Sequence, residues 1–224
     1  MTTRGFLRTL LKVAALFMLA VLAASVMQFA WAYFRTPRLV SQFEQARPPT
    51  LDPAQISKVR REWLLAVDDP TFYRHHGLDS RTPGAGYTTI TQGIVKFLFF
   101  EGFRPGLLRW RKVQQTVIAL AFNARVSKEE QLRLFVKNAY LGNQRGRGVR
   151  GFPEASEAYF GKSFAQLSDD EYLGILAMLV APGKYSLALH PEQNHERVQR
   201  IKRLLARECE PTAVEDVEYA GCAR

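Results

Sequence analysis

Cysteine, histidine and acidic residues are all scarce in this chain. Cys209 and Cys222 are the only cysteines in 224 residues, so neither a C-x-x-C redox pair nor a thiolate zinc cluster is available. Both lie near the C-terminus, where an oxidising compartment permits a disulfide that clasps the tail and a reducing one leaves two thiols. The four histidines include the adjacent pair His75-His76. That pair lacks the i, i+4 spacing that brings two imidazoles to one helix face, and metal binding by histidine is rejected. Asp and Glu number 21 against 31 Lys and Arg, a formal charge of +10. The excess favours an anionic partner such as a lipid headgroup, a diphosphate or a nucleic acid, with a solvated basic surface as the plain alternative. No long alternating apolar run occurs, which argues against a β architecture, and no internal repeat is evident.

What the chain does have is a long apolar run. Residues Val13 to Phe34 carry no charge, and at about 1.5 Å per residue they span about 33 Å, enough to cross a bilayer. Arg4, Arg8 and Lys12 precede the run and favour a cytoplasmic segment 1–12, although Arg35 and Arg38 weaken the asymmetry. A cleaved signal peptide is the rival reading, because Ala30-Trp31-Ala32 has the small-x-small form of a cleavage site. Trp31, Tyr33 and Phe34 suit an interfacial belt and an uncleaved anchor over 13–34. Four prolines, at 37, 48, 49 and 53, predict an extended linker over 35–53. One domain of 54–208 and a tail of 209–224 complete the layout.

Helical spacing dominates that domain. Apolar residues at Ile56, Val59, Trp63, Leu64 and Val67 predict a helix over 54–67, and residues 107–126 repeat the pattern. Ser127 and Glu130 form a capping box for a helix running to Leu141 and stopping at Gly142. Ser168 and Glu171 form a second, ahead of an apolar helix that ends near Val180. A basic helix covers 195–208.

Several stretches carry candidate chemistry. Asp68-Asp69-Pro70-Thr71-Phe72-Tyr73-Arg74-His75-His76-Gly77 reads either as a solvated turn or as a proton-transfer carboxylate held by a buried aromatic. Gly84-Ala85-Gly86-Tyr87-Thr88-Thr89 sets permissive glycines before a helix start, where unpaired N–H groups suit a phosphate; an ordinary capped loop explains it equally. Lys96 lies among Phe97, Phe99, Phe100 and Phe103, a core helix or a lipid-dipping surface. Arg109, Arg111, Lys112, Arg145, Arg147 and Arg150 supply cations for phosphate oxygens or for solvent. Nucleic acid would use the same cations. Nothing resembles a recognition helix or a stacking platform, and an anchor argues against that partner.

Taken in order, these stretches resemble the peptidoglycan glycosyltransferases, the transglycosylases that polymerise lipid-linked disaccharide-peptide units. The likeness is greatest to their monofunctional, membrane-anchored members and covers about Val59 to Lys202. Asp68 to Gly77 is similar to the family's Glu-Asp-x-x-Phe and His-x-Gly motif. Tyr87-Thr88-Thr89-Ile90-Thr91-Gln92 stands for Gly-Ser-Thr-Ile-Thr-Gln, Lys96 falls on the family lysine, and Arg111-Lys112 resembles Arg-Lys-x-x-Glu. Later, Tyr159-Phe160-Gly161-Lys162, Glu171 and Ala181-Pro182 recur at family spacing. Departures fall on the acids: Asp68 and Gln115 replace the two catalytic glutamates, Arg133 a third, and Lys137 an asparagine.

The resemblance implies a mainly α, lysozyme-like domain behind one transmembrane helix, outside the cytoplasmic membrane and in the periplasm or its equivalent. It implies an inverting transferase, with Asp68 as base, Gln115 as its altered partner and Phe72 as a packed pin. His76, Thr88, Thr89, Thr91, Gln92, Lys96, Arg111, Lys112, Arg147 and Arg150 are the expected substrate ligands. The implied partners are lipid-linked precursor, nascent glycan, membrane lipid and cell-wall synthesis proteins, with or without a divalent cation such as Mg²⁺. Weakened turnover is the leading reading and a precursor-binding adaptor the alternative. The chain contains no Ser-x-x-Lys motif of a transpeptidase.

Overall fold

The computed structural model describes residues 3–46, 56–100 and 110–223, with side chains from Phe6 onward. The expected domain start near Pro53, together with Phe103, Arg109 and the helix start at Leu107, lies outside these residues. The described residues form eight α-helices and one hairpin: α1 (Thr3–Ala46), α2 (Lys58–Asp68), α3 (Ile90–Phe99), α4 (Trp110–Arg125), α5 (Lys128–Asn138), β1 (Tyr140–Gln144), β2 (Arg147–Arg150), α6 (Phe152–Phe160), α7 (Asp169–Met178) and α8 (Pro191–Leu205). The fold is mainly α, as expected.

Helix α1 corrects the extended linker expected from Arg35. It continues through Pro37 to Ala46, about 66 Å at 1.5 Å per residue, where a bilayer core needs about 30 Å. Its most apolar window is uncovered by protein and is long enough for one membrane crossing. The second half instead packs on the domain. Ala32 and Thr36 are fully buried, Arg125 lies 5.2 Å over the Tyr33 ring, and Phe43 stacks on Phe97 at 5.4 Å. Such contacts offset the roughly 3 kcal/mol that a proline costs inside a helix. Arg133 bonds Glu44 of α1 as well as Glu130 of its own helix, so this cation ties α1 to α5.

Local signals set the other boundaries. Ser57, Ser127 and Ser168 accept the third backbone N–H of their helices, and the Ser168–Glu171 box is complete. Helix α5 ends at Asn138, three residues before the expected Leu141, because the chain turns into β1. There β1 and β2 pair antiparallel around Arg145 and Gly146, both at positive φ, the geometry a two-residue hairpin turn requires. Gly151 closes the hairpin: a Cβ there would sit 2.2 Å from the Lys137 carbonyl oxygen. Helix α7 is buried from Tyr172 to Met178 and forms the centre of the core. α8 lies against it through Asn194, which donates to the carbonyls of Gly174 and Tyr185 at 2.8 and 2.9 Å.

Cys209 and Cys222 form a disulfide. The tail they close returns to the domain, and its Tyr219 and Cys222 are buried within the core.

Candidate active site

The site begins at the end of α2. Apolar spacing turns Leu64 and Val67 into the core, and the helix terminates at Asp68 because Asp69 is extended, with φ −155° and ψ 77°. This break points the two carboxylates differently. Asp69 is buried and structural: its carboxylate lies 2.9 Å from His75 Nε2 and accepts the Ile90 N–H at 3.0 Å. His75 Nδ1 accepts the Gly77 N–H at 2.9 Å, which leaves Nε2–H to donate to Asp69. Thr89 donates to the Gly77 carbonyl at 2.8 Å while capping α3 in a reciprocal box with Gln92. Gly77 has φ +99°, and a Cβ would meet the Ala119 carbonyl oxygen at 2.9 Å. The first motif is thereby locked to the start of α3.

Asp68 faces a groove of about 1020 Å³. Its floor and walls include Thr88, Thr89, Lys96, Arg150 and Arg197, with Phe97, Phe100 and Phe135 on the apolar side. Asp68 is the one carboxylate lining it among the described residues. Desolvation by the surrounding protein, then the charge of Asp69, pushes its pKa up from 3.8 to about 7, against the pull of Arg197 and Lys96. Burial lowers the Lys96 pKa, opposed by Asp68. Lys112 braces the rim, donating to the Tyr87 carbonyl and the Thr88 hydroxyl at 3.2 Å each. Burial, with the charge of Lys96, pulls its pKa down to about 8.

The expected site residues divide accordingly. Asp68, Thr88, Thr89, Lys96 and Arg150 line the groove, and Lys112 touches its rim. Phe72 is buried beneath Lys128, whose Nζ lies 4.4 Å from the ring centroid, and it supports His75 edge-on at 6.2 Å. His76 is exposed, so the inward imidazole is His75, a correction. Thr91 donates to Gln131 at 2.6 Å, and Gln92 is occupied by capping; both are buried scaffold. Gln115 is fully buried, donating to the Gln92 carbonyl at 2.9 Å. It is absent from the groove lining, so the geometry gives it no contact with a reacting atom. Arg111 is exposed on α4 and Arg147 is exposed beside Glu154; neither lines the groove. The glycine loop is no open phosphate cradle either. Gly84 and Gly86 donate their N–H groups to the carbonyls of Ala213 and Val214 at 2.9 and 2.8 Å.

Sequence reasoning missed Arg197. It is buried, donates through Nε to the Ala177 carbonyl at 3.1 Å and lies 5.1 Å from each of the Tyr185 and Tyr219 ring centroids. Its Nη1 is buried without a hydrogen-bond partner. The signal was there: Asn194, Arg197, Val198 and Ile201 share one helical face, and two polar residues on an apolar stripe call for buried partners. Among the described residues the donor set does not fit a protein-held divalent cation, since hard cations take several oxygen ligands and one carboxylate lines the groove. Among the described residues no three His, Cys, Asp or Glu side chains converge.

A half-buried carboxylate with raised proton affinity, faced by cations in a groove, can exchange a proton near neutral pH beside an anionic group. Residues 36–206 match the family model described as "Transglycosylase", and the chain belongs to that family. It is 33% identical over 160 residues to penicillin-binding protein 1F of Bacillus subtilis (strain 168), covering 66% of this chain and 21% of that one. Penicillin-binding protein 1B of Escherichia coli (strain K12) is 34% identical over 155 residues, covering 63% and 18%. Penicillin-binding protein 1A of Pseudomonas aeruginosa is 28% identical over 178 residues, covering 74% and 21%. The chain spans about a fifth of the length of these curated relatives.

Proposed function

We propose that the protein is a peptidoglycan glycosyltransferase that polymerises lipid-linked disaccharide-peptide units. The carrying observation is Asp68, the one groove-lining carboxylate among the described residues, whose pKa of about 7 suits a general base at neutral pH. In the proposed reaction Asp68 takes the proton of an acceptor sugar hydroxyl. The oxygen attacks the anomeric carbon of the donor, the bond to the diphosphate breaks, and the configuration inverts to give a β-linked glycan. Lys96, Arg150 and Arg197 face the space where the diphosphate charge develops, in a low-dielectric groove that strengthens their pull. Lys112 holds the rim, and no step requires a protein-bound metal.

Substrate and partners follow from this reading: membrane-embedded precursor, nascent glycan, and the cell-wall synthesis proteins that share them. Helix α1 would cross the cytoplasmic membrane once, with the domain on the periplasmic side. Two features support that orientation: Arg8 and Lys12 precede the apolar run, and the disulfide suits an oxidising compartment. An adaptor that binds precursor without polymerising it is the second reading, favoured by the absence of a second acid from the groove lining among the described residues. Purified protein in detergent, given labelled lipid-linked precursor, decides. Polymer from the parent and none from Asp68→Asn supports the enzyme. Precursor binding without polymer from either supports the adaptor.

A further inference from the structure

Residues beyond 206 lie outside the family match, yet they build part of the groove. Val217 lines it. The backbone of Ala213 and Val214 pairs with Gly84 and Gly86, Tyr87 donates to Glu215, and Gly84 packs so closely that a Cβ would meet Pro211 at 2.6 Å. Lys184, Arg200 and Arg203 fasten the same segment to the body of the domain.

Tyr219 is the innermost residue of this tail, 1% exposed. Its backbone is left-handed, with φ 57°, a conformation that costs a bulky residue energy and persists only where the surroundings impose it. Here Asp216 accepts the Ala220 N–H at 2.7 Å, and the Cys209–Cys222 bond closes the segment. What the strained geometry achieves is a hydrogen bond from the Tyr219 hydroxyl to the Val67 carbonyl. That carbonyl belongs to the last turn of α2, where no intrahelical donor is available. The next residue is Asp68. The Tyr219 ring also packs on the Arg197 guanidinium, and burial raises the hydroxyl pKa, so it stays protonated and able to donate.

We infer that Tyr219 is a positioning residue for Asp68, capping the helix end that carries it, and that the Cys209–Cys222 disulfide holds Tyr219 in place. The inference rests on the reading of Asp68 as the base. Without the cap, the last turn of α2 loosens and the carboxylate drifts; misplacement of about 1 Å can lower a rate by about 100-fold. Release of the tail also admits water beside Asp68, which removes part of the desolvation that raises its pKa.

The test uses full-length oxidised protein, Tyr219→Phe, the double change Cys209→Ser with Cys222→Ser, and the parent reversibly reduced with dithiothreitol. Tyr219→Phe keeps the ring and deletes only the donor. It is expected to lower kcat by about 10- to 100-fold, with KM for lipid-linked precursor within about twofold. The released-tail proteins are expected to lose kcat similarly and to shift the acid limb of kcat/KM to lower pH, by about one unit. NMR of isotope-labelled aspartate, assigned by the signal missing from Asp68→Asn, reads the same titration shift whether or not a preparation turns over. An unmoved Asp68 titration in both released-tail proteins overturns the inference, as does a parental kcat in folded Tyr219→Phe. So does a loss that tracks only the folded fraction. Those results leave the base assignment standing if Asp68→Asn is inactive. Parental activity in Asp68→Asn removes the base assignment itself.

Discussion

Replacing Asp68 by Asn should do more than stop proton transfer; it should change how stability depends on pH. In the unfolded chain an aspartate releases its proton near its ordinary value of 3.8, whereas in the fold Asp68 holds it to about pH 7. Between those values the native state binds the extra proton, so stability falls as pH rises. The difference of about 3 units corresponds to about 4 kcal/mol of stability present below pH 4 and lost above pH 7. This is an upper bound, because the groove side of Asp68 admits water. Asn carries no such titration. The gap between Asp68→Asn and the parent should therefore widen in favour of the variant on going from about pH 5 to about pH 8, by up to about 3 kcal/mol. For a chain of this size that is a relative Tm shift of roughly 10 °C. Thermal or denaturant unfolding in detergent across that range measures it, and the static loss of a partner for Arg197 and Lys96 affects the offset rather than the slope. Parallel curves for parent and variant would refute the desolvated-carboxylate argument.

Three further outcomes follow from the packing. Gln115→Glu, which restores the family acid, replaces the Nε2 donor with a carboxylate facing the Gln92 carbonyl. It should destabilise the fold by roughly 3 kcal/mol at pH 8 and less at pH 5, where the new acid protonates; unfolding at the two pH values reads this, and an unchanged midpoint at both would show the pocket can turn outward. Changing both Cys209 and Cys222 to Ser should cost about 3 kcal/mol for a loop of this length while helical circular dichroism persists, because the tail can open without the core; complete loss of helix would make the tail indispensable to folding. Thr89→Ala removes the α3 cap and the bond to Gly77 together and should cost about 1–2 kcal/mol, measured by denaturant midpoint, with no cost contradicting the capping box.

How much of this was legible depended on how local the cause was. Ser127 and Ser168 announce helix starts because a cap needs only its own next residues. Asp68 and Lys96 were legible because ordered motifs fix them to the ends and faces of helices. The path of α1 through Pro37 was not, since the proline penalty is local and its compensation, from Tyr33, Phe43 and Glu44, comes from partners far along the chain. His75 and His76 are adjacent in a turn, and only the positions of Asp69 and the Gly77 N–H decide which ring points inward. Gln115 sits in a motif read as catalytic, yet the rotation of α4 against α3 turns it to the interior. The hairpin was concealed by its brevity, although Arg145-Gly146 carries the turn chemistry. Arg197 and Tyr219 reach Asp68 from over a hundred residues away, and no spacing rule connects them.

Asp68 is proposed as the base in glycan polymerisation. The most direct test is the rate of polymer formation from labelled lipid-linked precursor, at low substrate concentration, by the parent and Asp68→Asn from about pH 5 to pH 9. The parental rate should climb with pH to a plateau above about pH 7, where the carboxylate is ionised, and the variant should give no polymer at any pH. Polymer from Asp68→Asn at the parental rate, with the same pH limb, would contradict the base assignment.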